Sequence, residues 1–125
     1  MSFDPRPFVE HYRAENEAER RATRDRAAAA LEEARRLAKR MLQEDSGVRA
    51  VILFGSLAEE GPRRKDFDID LALDGGDLYR ALDAAEDSAF DVDVVRLDRV
   101  PEHVRARIEA RGIVLSGRTR NQTGA

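Results

Sequence analysis

The order of apolar and polar positions divides the chain into strands and helices. Residues Ala50-Val51-Ile52-Leu53-Phe54 are apolar without a break. Such a run predicts a buried strand over about residues 48–54. From Asp66 to Leu73 the pattern alternates. Phe67, Ile69, Leu71 and Leu73 fall on one face of a second strand, and Asp66, Asp68 and Asp70 on the other. A third strand is predicted over about Asp91–Leu97, with Phe90, Val92 and Val94 pointing one way and Asp91 and Asp93 the other.

Helical spacing fills the rest. One long helix is predicted from about residue 7 to Asp45, and in the leader before it Asp4-Pro5 is a candidate helix start, with Asp as N-cap and Pro at the first helical position. In its second half Leu31, Ala34, Leu37 or Ala38, and Met41 recur at steps of three and four, the face that packs on a sheet. In its first half Ala14, Ala18, Ala22 and Thr23 interrupt a run of charge. That half reads either as a solvated helix laced with ion pairs or as a contact for a partner or second copy. Leu57–Glu60 is predicted as a helical turn. Leu78 to about Asp87 follows as a helix with Leu78, Leu82 and Ala85 inward. Pro101 opens a last helix, with Val104 and Ile108 as its buried pair and Gly112 at its end. Ile113-Val114-Leu115 is expected at a sheet edge or over the core, and Ser116–Ala125 as a disordered tail. The organisation is thus α/β: an N-terminal helical segment over 1–47 packing on a core over 48–115, and a tail over 116–125.

Composition narrows this picture. A chain of 125 residues predicts one domain. The absence of cysteine excludes disulfides, thiol catalysis and cysteine-based zinc sites. No apolar run approaches the ~20 residues that span a bilayer, and no signal-peptide pattern opens the chain, so a cytoplasmic protein without a membrane partner is expected. Net charge is −3, with the acidic excess in the middle of the chain. That distribution argues against a nucleic-acid surface, which is a basic stripe. His11 and His103 read as surface residues on charged helices, and Tyr12 and Tyr79 as packing residues.

The aspartates change the picture most. A solvated strand face explains their polarity, but aspartate is depleted from strands. Carboxylates on alternate positions stand roughly 6–7 Å apart and repel unless a cation lies between them. Hard oxygen ligands at that spacing suit Mg²⁺. Gly55-Ser56, at the end of the preceding strand, adds a place where backbone and hydroxyl can hold a phosphate. The basic loop Gly61-Pro62-Arg63-Arg64-Lys65 either reaches triphosphate oxygens, with Lys65 nearest the aspartates, or is an ordinary solvated loop.

Gly-Ser after a strand, followed by Asp-x-Asp-Leu on the next, resembles the nucleotidyltransferase superfamily that includes polymerase β, and in particular its minimal branch. The resemblance covers about residues 48–115. It implies a small mixed β-sheet flanked by helices. It also implies Asp68 and Asp70 as the bridging metal ligands, with Asp93, before the apolar pair Val94-Val95, as the third carboxylate. Phe67 departs from the serine common before the first aspartate, and Asp66/Asp68 is the alternative register of the pair. Asp66 and Asp91 are either outer ligand-shell groups or exposed turn residues.

The resemblance further implies two Mg²⁺ ions, a nucleoside triphosphate held through Gly55 and Ser56, and transfer of a nucleoside monophosphate; Lys65 of the basic loop is the additional candidate for binding it. Minimal members act as antitoxins beside HEPN-domain toxins, some transferring AMP from ATP to a tyrosine of the toxin, and that is the function expected here. The alternatives are a non-enzymatic binding subunit, working through the N-terminal helix, and a small-molecule nucleotidyltransferase that relies on a partner subunit. Either homo- or hetero-oligomers are compatible with these readings.

Overall fold

The computed structural model describes residues 4–59 and 68–118. Lys65, Asp66, Phe67 and the rest of the basic loop lie outside the described residues, as do residues 119–125. The elements in chain order are α1 (Arg6–Glu44), β1 (Val48–Phe54), α2 (Ser56–Glu59), β2 (Ile69–Gly75), α3 (Leu78–Glu86), β3 (Val92–Arg96), α4 (Glu102–Arg111) and β4 (Ile113–Gly117). The strands form one mixed sheet in the order β3-β2-β1-β4. β1 runs antiparallel to both β2 and β4, whereas β2 and β3 are parallel. A parallel pair needs a long crossover, and α3 supplies it.

The sheet order explains the hydrophobic pattern. β1 is an interior strand covered on both faces, so it is apolar at successive positions. On one face Val48, Val51, Leu53, Ile69, Leu71, Leu73 and Val94 pack beneath α1 and α3. On the other face Ile52, Ala72, Leu97 and Ile108 form a smaller cluster, edged by Phe54, Val95, Val100 and Val104 under α4. The alternation in β2 survives intact, since Ile69, Leu71 and Leu73 are buried toward α1 while Asp70 and Ala72 face α4.

α1 contributes Ala30, Ala34, Leu37, Ala38 and Met41 to the larger cluster. Its small residues let the helix lie close to α3, where Arg40 Nη1 donates to the Ala84 carbonyl at 3.2 Å. Ser88 Oγ donates to Glu33 at 2.7 Å, and the Arg26 guanidinium sits 4.4 Å from the centre of the Phe90 ring. The helix begins at Arg6, about one residue before the predicted start. Pro5 occupies the cap, and Asp4 accepts from the Arg6 amide at 3.1 Å. Among the described residues no helix is long and apolar enough to cross a membrane.

Two expectations are corrected. Leu82 is exposed, and Ala81, Ala84 and Ala85 are the buried face of α3. The side of α3 that meets α1 and the sheet carries these three alanines, with Leu78 partly buried beside them. The segment from Ser116 onward is not a tail from its first residue. β4 continues through Gly117, with Ala50 opposite Gly117 and Val51 opposite Ser116. Arg118 then donates from its backbone to the Arg49 carbonyl (2.9 Å), and from its side chain to the carbonyls of Val48 (3.0 Å) and Leu42 (2.7 Å). The Leu42 carbonyl is one of the α1 C-terminal acceptors left without an intrahelical donor. Arg118 thus ties the last strand to the end of the first helix.

Candidate active site

Register brings two of the aspartates, Asp70 and Asp93, side by side at one end of the sheet. Phe54, the last residue of β1, lies opposite Asp70 in β2. Asp70 in turn lies beside Asp93 in the parallel ladder. Register neighbours project to the same side of a sheet, so Asp70 and Asp93 share the face covered further along by α4. Asp68 precedes β2 by one residue and is exposed, as is Asp93, while Asp70 is half-buried. Ile69 donates its amide to the Asp91 carbonyl at 2.9 Å, which fixes the start of β2 against the start of β3.

Gly55 completes the end of β1. Its φ is +77°, in the left-handed region where a side chain is disfavoured. A β-carbon built there would run into Oδ2 of Asp70. The Gly55 backbone therefore lies directly against the Asp70 carboxylate. The Gly55 carbonyl accepts from the amides of Ala58 and Glu59, both at 3.1 Å, which closes the single turn of α2. Ser56 opens that turn and is exposed.

The electrostatics follow from this crowding. The Asp70 carboxyl is pushed up from its ordinary 3.8 to about 6. Burial is the largest cause, and repulsion from Asp93 and then Asp68 adds to it. Among the described residues no cation or hydrogen-bond donor is paired with any of the three carboxylates. Such a site gains from a hard cation supplied from outside, which oxygen donors of this kind suit. Among the described residues no three acidic or histidine side chains are drawn together as a metal cage. The donor chemistry and the shared edge fit a divalent ion. The side chains as they stand do not enclose one.

One part of the site has no counterpart in the sequence reading. Glu59 of α2 receives Arg107 Nε (3.2 Å) and Nη2 (3.0 Å), and Arg111 Nη1 (3.4 Å), from α4. The hydrogen bond from Arg107 is the main reason the Glu59 carboxyl is held below its ordinary value. This fork pins α2, and with it the Gly55-Ser56 turn, to the helix covering the smaller apolar cluster. Arg107 and Arg111 are one turn apart on α4, a spacing legible in the sequence. Their partner lies 48 residues upstream of Arg107, where nothing local points to it.

β1 thus leads into Gly55-Ser56 at the same end of the sheet as Asp70 and Asp93. The profile of the family described as "Polymerase beta, Nucleotidyltransferase" matches residues 37–121, more than half of the chain. The chain belongs to that family. Its fold is also similar to that of a toxin–antitoxin structure containing a mutant MntA–HpeT pair: 18% identity, 67% of this chain and 73% of the other covered, TM-score 0.52. A structure of the toxin–antitoxin with AMP-PNP is similar over the same shares, at 22% identity and a TM-score of 0.53. No curated protein matches the chain in sequence.

Proposed function

We propose that this protein transfers AMP from ATP to a hydroxyl of a partner protein, a tyrosine of a HEPN-domain toxin, and so acts as an antitoxin. The observation that carries the reading is the register of Asp70 with Asp93 beside the Gly55 backbone. It puts oxygen donors from two strands next to a turn that can take phosphate. The family supports nucleotidyl transfer. The two similar structures, one with AMP-PNP and both of toxin–antitoxin systems, support the nucleotide and the kind of partner.

In this reading Asp68, Asp70 and Asp93 are the residues that would hold Mg²⁺. Magnesium bound there would neutralise charge on the phosphates and on the attacking oxygen. Gly55 and Ser56 would orient the β- and γ-phosphates; Lys65, the further phosphate candidate from the sequence, lies outside the described residues. Asp93 takes part in removing the proton of the incoming hydroxyl. That oxygen bonds to the α-phosphorus, the bond from the α-phosphorus to the bridging oxygen breaks, and pyrophosphate leaves.

Calorimetric titration of Mg²⁺-ATP, with CTP and GTP as controls, tests the site. Wild type should bind, and an Asp68→Asn/Asp70→Asn double variant should not. Label from the α-phosphate of ATP should then appear on the partner with wild type only. Equal neutralisation of the toxin by the double variant would favour a second reading, in which the protein works by contact alone. The long exposed half of α1 is the observation on that side.

A further inference from the structure

α1 extends well beyond the core it helps to build. None of its residues before Ala30 is buried. At about 1.5 Å per residue, the stretch from Arg6 to Ala29 is roughly 36 Å long. In proteins most helical stability comes from packing rather than from propensity.

The charges on this stretch are segregated. Glu10, Glu15, Glu17 and Glu19 against Arg13 make residues 10–19 net −3. Arg20, Arg21, Arg24 and Arg26 against Asp25 make residues 20–26 net +3. His11 meets Glu15 at 3.1 Å within the helix. Among the described residues Glu10, Glu17, Arg21 and Arg24 have no ion-pair partner, and at about 3.6 residues per turn all four fall within roughly a 60° band. That band flanks a seam made by Ala14, Ala18 and Ala22, all exposed. The seam lies on the side of α1 opposite the stripe Ala30, Ala34 and Met41 that meets the sheet.

We propose that this segment pairs antiparallel with the same segment of a second copy of the chain. Centred near Ala18, the pairing sets each acidic block against the other copy's basic block. Glu10 then faces Arg24 of the second copy, and Glu17 faces Arg21 of the second copy. A parallel pairing would set acid on acid and base on base. The alanine seam lets the two helices approach closely, and the globular parts lie at opposite ends, clear of one another. The pairing is independent of the proposed chemistry.

Sedimentation velocity at low salt over a range of micromolar concentrations tests it. Wild type should pass from monomer to dimer, and added salt should reverse this. The reversals Glu10→Arg/Glu17→Arg and Arg21→Glu/Arg24→Glu change only exposed positions and should each give monomers. Mixed in equal amounts, the two variant proteins should form a heterodimer, since four opposite-charge pairs are restored. A wild type that stays monomeric, a reversal variant that still dimerises, or a mixture that stays monomeric would each overturn the proposal.

Discussion

Asp70 should destabilise the metal-free protein at neutral pH, and replacing it by asparagine should reveal how much. Its carboxyl titrates near 6 in the fold against an ordinary 3.8. A full shift of that size corresponds to about 3 kcal/mol. Asp70 is only half-buried, and solvent screening brings the expected effect to about 1–2 kcal/mol. The sign follows from proton counting. Between pH 4 and 6, roughly, the folded chain holds a proton at Asp70 that the unfolded chain has lost, so stability falls as pH rises through this window and then levels off. An asparagine side chain at this position cannot ionise and loses nothing. In the presence of EDTA at pH 7.5, Asp70→Asn should therefore raise the melting temperature by roughly 3–8 °C. The difference from wild type should close below about pH 4. Thermal unfolding of both proteins across this range measures it. Magnesium added at pH 7.5 should stabilise wild type more than the variant. A variant no more stable than wild type at pH 7.5 without metal would refute the claim that Asp70 is held charged against burial and its neighbours.

Three further outcomes are expected. Gly55→Ala puts a β-carbon on Asp70 at φ +77° and should cost about 1–3 kcal/mol in urea unfolding while weakening nucleotide binding. Glu59→Gln weakens the fork to Arg107 and Arg111, and should lower affinity for Mg²⁺-ATP in calorimetry with little change in melting temperature, because its partners are exposed. Arg118→Ala removes the hydrogen bonds to Leu42 and Val48, and should cost about 1–3 kcal/mol in urea unfolding, with increased amide exchange at the end of α1.

Local patterning along the chain is enough to set the faces and the order of the elements. The period of two from Asp68 onward separates Asp68 and Asp70 from Ile69, Leu71 and Leu73 in the sequence, because alternate side chains on a strand must point to opposite sides. The unbroken apolar run of β1 predicts burial, and the glycine at its end predicts a backbone that other residues tolerate poorly. Local rules reach no further than neighbouring turns and pleats. Leu82 reads as inward because the apolar spacing of α3 cannot show which of its sides meets α1 and the sheet. Ser116 and Gly117 read as tail because their polarity says nothing of the open edge of β1 that they pair with. Packing in three dimensions was needed to bring β3 parallel beside β2 in the register that sets Asp93 next to Asp70, and to bring Glu59 to α4. These arrangements depend on hydrogen bonds and packing between residues more than 20 positions apart, whose register is fixed only when both sides of the sheet are covered.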